Sequence, residues 1–190
     1  MKIGFTGKCG SGKTYFARYV SEKTGIPIIR LDYVAKEIFT RPGVRDWIFE
    51  AFGHVAPDEP APGEDLKLFG AFRHSKRTQG FSEAEQKEFR DHFVIEIQKI
   101  LDAHDKVILD HFDLPMIDVK LDKLILVKSN EEERIKGIAE RDSLTFDRAL
   151  ELDKVVNLST DYSRGNYAFI VENDYKSIPQ EIENLVKELL

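Results

Sequence analysis

The segment GKCGSGKT, residues 7–14, constrains the fold of this chain more than any other stretch. It fits the pattern GxxxxGK[ST] through Gly7, Gly12, Lys13 and Thr14. The apolar run KIGFT precedes the loop and predicts a strand over residues 2–6, and the spacing of YFARYV predicts a helix over 13–23. A glycine loop between a strand and a helix is the setting in which backbone N–H groups bind nucleotide phosphates. The sequence therefore predicts a nucleotide site at the start of the chain.

The residue types of the loop indicate what each position does. The glycines let N–H groups turn inward around a β-phosphate, Lys13 neutralises charge on the β- and γ-phosphates, and the Thr14 hydroxyl can bind Mg²⁺. Lys8 adds charge near the phosphates or is a solvated lysine, and Cys9 is a redox-sensitive thiol or a small filler. The predicted nucleotide-binding segment comprises Gly7, Lys8, Cys9, Gly10, Ser11, Gly12, Lys13, Thr14 and Tyr15.

The remaining apolar runs predict an α/β architecture. Further strands are expected over residues 27–31, 106–110, 123–127 and 167–171. Helices are expected over residues 82–103, 129–141, 145–156 and 178–190, and over two shorter stretches after Asp32 and Val44. Capping pairs, Ser82 with Glu85 and Ser129 with Glu132, are predicted to open two of these helices. Apolar strands without alternation, separated by helices, indicate a five-stranded parallel sheet covered on both faces, which is a three-layer fold.

At 190 residues the chain fits a single domain. We expect a core of residues 1–40 and 104–190, a helical insertion of about residues 41–103 that binds the acceptor, and a small lid of about residues 142–165. Residues 54–80 carry prolines, glycines and a basic, aromatic stretch, and they predict a long irregular excursion.

Charge and cysteine content narrow the class of protein. A formal net charge of −6 argues against a nucleic-acid or membrane-surface partner and favours small molecules. One cysteine excludes an intramolecular disulfide and suits a reducing compartment. No window approaches the roughly 18 apolar residues that a membrane span needs. We expect a cytoplasmic protein, as a monomer or a small homo-oligomer.

Among proteins with this loop, a small kinase fits best. A GTPase should show DxxG and NKxD motifs, but KVILDHFD has no glycine at that place and LILVKSN lacks the second motif. Motor-type ATPases usually need a longer chain. Compact P-loop kinases remain, in which catalysis consists mostly of positioning and neutralising the transferred phosphoryl group.

Two aspartates at predicted strand ends are candidates for the chemistry. Asp110 ends KVILD and would hold Mg²⁺ through water, or it only caps the following turn, and Asp113 is its competitor. Asp32 follows another strand, at an edge that faces the ligand in open α/β sheets. Its carboxylate would take the proton of an acceptor hydroxyl, or it is an N-cap.

Arginines near the second half of the chain are candidates for stabilising developing charge. Arg134, Arg141 and Arg148 are spaced seven apart and would share one helical side if the helix continued. For Arg134 a surface pairing with the glutamates at 131–133 is the preferred interpretation. Arg141 is the preferred lid arginine, and Arg164 is the next.

These motifs resemble those of the dephospho-CoA kinases, a family related to the nucleoside monophosphate kinases. IGFTGKCGSGKT is similar to the family's opening strand and loop, and GIPIIRLDYVAKEIF and PGVRDWIFEAFG are similar to its next segments. DHF around His92 lies where the family has a His-Pro pair. AERDSL resembles the lid arginine and aspartate, and FIVEND resembles a strand that ends near the adenine, here at Asn173.

The resemblance implies a P-loop kinase fold, ATP and Mg²⁺, and dephospho-CoA as the acceptor. It implies that Asp32 activates the ribose 3′-hydroxyl and that Arg141 stabilises the transition state. Arg30 stands where the family usually has a first aspartate, and Gly137 where it often has an arginine.

The acceptor leaves alternatives open. Arg73 and Arg77 lie in a basic patch that would meet the diphosphate of dephospho-CoA, or the patch is a solvated loop. His92 would touch the acceptor or is structural. A nucleoside or deoxynucleoside monophosphate kinase is the alternative enzyme, and a nucleotide-binding regulatory protein without transfer activity is the alternative of another class.

Overall fold

The computed structural model of the chain describes residues 1–40, 83–157 and 160–190. Several sequence predictions lie outside these residues. They are the helix after Val44, the excursion over residues 54–80 with Arg73 and Arg77, and the capping position Ser82.

The described strands form one parallel sheet, as predicted. They are β1 (Lys2–Thr6), β2 (Ile28–Arg30), β3 (Val107–Asp110), β4 (Lys123–Ser129) and β5 (Phe169–Asn173). Their order across the sheet is β2-β3-β1-β4-β5, and every neighbouring pair is parallel. Because β1 is central, the loop that follows it leaves the sheet at the edge where β3 and β4 also end.

Helices make up most of the rest of the described chain. They are α1 (Lys13–Thr24), α2 (Leu31–Thr40), α3 (Glu83–Ala103), α4 (Glu131–Asp142), α5 (Phe146–Asn157) and α6 (Gln180–Leu189), with short 3₁₀ helices at Leu114–Met116 and Tyr162–Arg164. Among the described residues, no helix has the length and apolar character needed to cross a membrane.

One face of the sheet packs on α1 and α6. Alternate strand residues point to this face because successive side chains on a strand point in opposite directions. The strand members of this core are Ile3, Phe5, Ile108, Ile125, Val127 and Val171. Helix α6 contributes a stripe spaced as one helical face, namely Ile182, Leu185, Val186 and Leu189. Full burial of each such side chain stabilises the fold by about 1.5–3 kcal/mol, so this layer fixes β1 firmly beneath the loop.

The chain divides into two compact units. One comprises Met1–Arg30 with Lys99–Leu190, and the other comprises Leu31–Gln98. The first unit contains the whole sheet, the glycine loop and helices α1, α4, α5 and α6. The second contains α2 and most of α3.

Two capping predictions are corrected. The N-cap of α4 is Asn130, whose side chain accepts a hydrogen bond from the Glu133 N–H at 3.2 Å. Ser129 is not the cap because strand pairing continues through it, opposite Asn173 of β5. Helix α2 begins at Leu31, so Asp32 lies inside its first turn and is not an N-cap.

The last strand lies two residues later than predicted, over Phe169–Asn173 instead of 167–171. Pairing with β4 sets this position, because the first paired residues are Phe169 of β5 and Ile125 of β4. Tyr167 instead donates its hydroxyl to the carbonyl of Tyr162 at 2.6 Å. The strand therefore ends on Asn173, beside the glycine loop.

Candidate active site

The glycine loop has the backbone form that its glycines permit. Gly7, Gly10 and Gly12 have φ values of 147°, 81° and 93°, which L side chains rarely adopt. A Cβ on Gly7 would lie 2.2 Å from the carbonyl oxygen of Val127, and one on Gly12 would lie 2.3 Å from Asn173 Nδ2. Glycine is therefore required at both positions by conformation and by space.

Three consecutive carbonyls of the loop accept hydrogen bonds from side chains. The Cys9 carbonyl accepts from Arg134 Nη1 at 2.9 Å, and the Gly10 carbonyl accepts from the Tyr175 hydroxyl at 2.8 Å. The Ser11 carbonyl accepts from Asn173 Nδ2 at 2.9 Å. Asn173, expected near the adenine from the resemblance, thus contacts the loop backbone.

Thr14 and Asp110 are brought together. The Thr14 hydroxyl donates to Asp110 Oδ2 at 2.6 Å, and Asp110 is 2 % exposed at the end of β3. Asp113 instead accepts from the Thr160 hydroxyl at 2.6 Å and precedes the short 3₁₀ helix. Of the two competing aspartates, Asp110 is the one that adjoins the loop.

The donor set at this point is suited to a hard cation. A threonine hydroxyl and a buried carboxylate are oxygen ligands of the kind that Mg²⁺ uses, together with water and substrate phosphates. Within residues 1–40, 83–157 and 160–190, no group of three or more His, Cys, Asp or Glu side chains is placed to hold a metal. A Mg²⁺ ion here would therefore depend on phosphate oxygens as well as on Thr14 and Asp110.

Arg30 adds positive charge to the same strand edge. It ends β2 in register with Asp110, and its Nε lies 3.8 Å from Asp110 Oδ2. The Asp110 carboxylate therefore lies between the Thr14 hydroxyl and a guanidinium.

The other loop residues have the exposure that binding from solvent requires. Lys13 opens α1 and is partly exposed, at the helix end whose dipole favours anions. Lys8 and Tyr15 are exposed, and Cys9 is half-buried. Cys9 Sγ lies 3.9 Å from Arg141 Nη2.

Arg134 is not a surface arginine, so the preferred sequence interpretation is wrong. The residue is 1 % exposed, and its guanidinium donates to both carboxylate oxygens of Asp153 on α5. Burial lowers the pKa of Arg134, but the hydrogen bond and charge of Asp153 more than offset this, and the pKa is raised. The carboxylate that pairs with Arg134 lies 19 residues away on the next helix and is not one of the glutamates beside it in sequence.

The arginine row predicted on one helical side does not form, because α4 ends at Asp142. Arg141 Nε and Nη2 both donate to Asp142, each at 2.7 Å, and its side chain is 57 % exposed. The hydrogen bonds that Arg141 donates to Asp142 raise the pKa of Arg141, and the same contact lowers the pKa of Asp142. Arg148 lies on α5 and pairs with Glu151 at 2.8 Å. Arg164 Nη1 lies 3.9 Å from Met116 Sδ.

The acceptor-side candidates belong to the unit Leu31–Gln98 or lie outside the described residues. Asp32 is half-buried in the first turn of α2, and His92 is exposed on α3. Arg73 and Arg77 are among the residues that the structure does not describe.

The structure also identifies two residues that sequence reasoning missed. Asp153 and Tyr175 look in sequence like an ordinary helix charge and an ordinary turn aromatic. No local pattern marks either, because each acts through a contact with a segment far along the chain, Asp153 with Arg134 and Tyr175 with Gly10.

Curated proteins that are similar to this chain have the same name, dephospho-CoA kinase. No family model matches the chain. It is 26 % identical to the dephospho-CoA kinase of Fusobacterium nucleatum, over 100 % of this chain and 95 % of that protein. It is 28 % identical to the dephospho-CoA kinase of Corynebacterium glutamicum, over 77 % of this chain and 76 % of that protein.

A solved structure supports the fold. Shikimate kinase from Bacteroides thetaiotaomicron superposes with a TM-score of 0.54 at 17 % identity, covering 100 % of this chain and 95 % of that one. At this level of identity the likeness concerns the fold alone. The resemblance read from the glycine loop and strand ends is confirmed: the chain has the P-loop kinase fold, and it is similar along its whole length to a protein named dephospho-CoA kinase.

Proposed function

We propose that this chain is an ATP-dependent kinase that phosphorylates the 3′-hydroxyl of dephospho-CoA, a step of coenzyme A synthesis. The observation that carries the proposal is the contact between Thr14 and Asp110 at 2.6 Å, beside a loop with positive φ at three glycines. Relatives named dephospho-CoA kinase that match along the chain support this acceptor over the alternatives.

On the nucleotide side, the loop would wrap the β-phosphate of ATP and Lys13 would neutralise the β- and γ-phosphates. Thr14 and Asp110 are the residues that would hold Mg²⁺, which when bound supplies further neutralisation of phosphate charge. Arg141 would stabilise the charge that develops on the transferred group. To do so its guanidinium has to exchange its contact with Asp142 for phosphate oxygens, and its exposure permits that exchange.

On the acceptor side, Asp32 would act as the general base. Its carboxylate takes the proton of the 3′-hydroxyl while the oxygen attacks the γ-phosphorus, and the bond to the β-phosphate oxygen breaks to release ADP. Arg73, Arg77 and His92 stay candidates for holding the acceptor. We propose that the reaction takes place in the cytoplasm, as the single cysteine suits, by a monomer or a small homo-oligomer.

The first test is ADP formation from ATP and Mg²⁺ with dephospho-CoA, beside a panel of nucleoside and deoxynucleoside monophosphates. We expect turnover with dephospho-CoA alone. Turnover with a monophosphate instead would replace the acceptor and keep the kinase. ADP binding without turnover on any acceptor would contradict the proposed activity and favour the regulatory alternative.

The role of Asp32 has its own test. Asp32→Asn keeps the size of the side chain but removes the proton acceptor, so we expect kcat to fall about 10²- to 10⁴-fold with little change in ATP affinity. The matched control is Asp91→Asn, on an exposed carboxylate of α3. An unchanged kcat in Asp32→Asn would limit this residue to a structural role in α2.

A further inference from the structure

Three side chains from two parts of the chain donate hydrogen bonds to carbonyls of the glycine loop. Arg134 lies on α4, Asn173 ends β5, and Tyr175 lies in the turn that follows. We propose that these three are positioning residues, which set the loop in its phosphate-binding form before a nucleotide arrives. The inference rests on the proposed nucleotide-binding role of the loop and deepens it.

Peptide geometry links the three contacts to phosphate binding. A trans peptide is planar, and its carbonyl oxygen points away from the N–H of the following residue. Fixing the carbonyls of Cys9 and Ser11 therefore aims the N–H groups of Gly10 and Gly12 toward the opposite side. The N–H of Ser11 donates back to the Lys8 carbonyl at 3.1 Å, which closes the turn between them. The outward carbonyl contacts thus determine where the inward donors point.

The side-chain amide of Asn173 makes two hydrogen bonds. Its Nδ2 donates to the Ser11 carbonyl, and its Oδ1 accepts from the Tyr175 N–H at 2.9 Å. The side chain is 7 % exposed, so both ends of the amide are committed inside the protein. The turn it shapes places Tyr175 at φ 59°, a conformation rare for a non-glycine residue. That turn directs the Tyr175 hydroxyl onto the Gly10 carbonyl.

Arg134 connects the loop to the helices α4 and α5. Its guanidinium contacts the Cys9 carbonyl and the Asp153 carboxylate at the same time. The loop also packs against the aliphatic part of the Arg134 side chain, since a Cβ on Gly10 would lie 2.9 Å from Arg134 Cγ. A change in the position of α5 is therefore transmitted to the loop through one buried side chain.

The energetic reason for these contacts lies in the glycines. A loop containing three glycines loses much conformational freedom when it closes on a phosphate. Contacts that order the loop beforehand remove part of that loss from the binding step. We therefore expect loss of the contact from Tyr175, an exposed side chain, to weaken nucleotide binding without a comparable loss of stability.

The experiment measures ADP affinity by calorimetry, the melting temperature, and amide hydrogen exchange of the nucleotide-free loop. Tyr175→Phe keeps the ring and removes only the hydroxyl of an exposed residue, so ADP should bind about three- to tenfold more weakly. Asn173→Asp keeps the contact to the Tyr175 N–H and places a carboxylate oxygen against the Ser11 carbonyl, so the loss should exceed tenfold. In both variants loop amides should exchange faster than in the unsubstituted protein.

The matched control is Tyr19→Phe. The Tyr19 hydroxyl donates to the Glu183 carboxylate at 2.5 Å between α1 and α6, so the change removes a tyrosine hydrogen bond that does not involve the loop carbonyls. It should leave ADP affinity and loop exchange unchanged.

The outcomes separate the inference from the proposed function. Unchanged ADP affinity in Tyr175→Phe and Asn173→Asp would overturn the positioning role. Weaker ADP binding with unchanged exchange of the free loop would also overturn it, since the side chains would then act on the nucleotide directly. An unsubstituted protein that binds ADP but phosphorylates no acceptor contradicts the proposed activity alone, and one that does not bind ADP removes both.

Discussion

The glycine loop and the helix pair α4–α5 both contain positively charged residues expected to contact phosphate. They differ in which residues determine the expected role of each. The proposed role of the loop depends on backbone N–H groups, and the glycine spacing that permits this is local in the sequence. On the helix pair the three arginines have different environments. Arg134 is buried against Asp153, Arg141 pairs with its neighbour Asp142, and Arg148 pairs with Glu151 at the surface.

This difference shows which roles a local sequence motif can predict. A backbone conformation that needs glycine is specified by the residues that adopt it. The role of an arginine depends on which carboxylate reaches it, and that partner can lie on another helix. The equal spacing of the three arginines therefore does not predict that they have the same role.

The largest expected effect is in the loop. Lys13→Ala should reduce turnover at least about a thousandfold, because a positive charge at the transferred phosphate is lost. The fold should persist, since Lys13 is partly exposed at the start of α1. Steady-state kinetics and circular dichroism measure the two effects, with Lys23→Ala on the exposed face of α1 as the control. Substantial turnover by a folded Lys13→Ala variant would break the comparison on the loop side.

The next effect is on stability and concerns the helix pair. Arg134→Met leaves Asp153 buried without its counter-charge, so the free energy of unfolding should fall by about 3–5 kcal/mol. Arg148→Met should change it by less than about 0.5 kcal/mol, because the pair with Glu151 is exposed. Urea unfolding measures both variants, and equal losses would contradict the distinction between them.

A double variant sharpens this result. Arg134→Met with Asp153→Leu removes both charges, and it should recover much of the stability lost in the single variant. ADP affinity should not recover, because the contact to the Cys9 carbonyl is still missing. Recovery of both quantities together would mean that Arg134 contributes to stability alone.

A smaller effect on catalysis is expected at Arg141. Arg141→Lys keeps the charge but loses the planar donor geometry, so kcat should fall about ten- to a hundredfold while the melting temperature stays unchanged. Arg148→Lys on the neighbouring helix is the matched control for a surface arginine. If the two variants have the same kcat, Arg141 does not act on the transferred group.

The smallest effect is the dependence of stability on pH at Asp142. Because Arg141 lowers the pKa of Asp142 in the folded protein, the pair stabilises the fold above the ordinary pKa of an aspartate. This contribution is lost as the pH falls through the lowered pKa, in the acid range below about pH 4. Solvent screening limits it to a few tenths of a kcal/mol. Comparing the acid unfolding of Asp142→Asn with that of the unsubstituted protein measures it, and a stronger dependence in the variant would have the wrong sign.

Much of the first unit was predictable from sequence because its signals are local. Apolar runs without alternation predicted all five strands and their parallel arrangement, and the glycine spacing predicted the loop. Asp110 was placed at a strand end correctly, because KVILD is a short buried run before a polar turn.

The rest depended on contacts between distant segments. Ser129 looked like a cap until pairing with Asn173 extended β4 through it. Asn173 stays a candidate for a place near the adenine, but the contact of its amide with the Ser11 carbonyl, which the register of β5 brings about, was not predicted. Arg134 looked like a surface residue because Asp153 could be any charge on an amphipathic helix. In each case the deciding partner is remote in sequence.

The order of the strands has a consequence for how the site is made during synthesis. The strand β1 and the complete glycine motif are translated before both neighbours of β1 in the sheet, β3 and β4, which begin only at Val107 and Lys123. The turn that holds the loop carbonyls comes later still, after residue 172. A nascent chain that carries the motif but not yet β3, β4 and this turn therefore lacks the contacts that order the loop. Parallel pairings of this kind close long loops and form slowly. The glycine motif is thus synthesised well before the segments that order it.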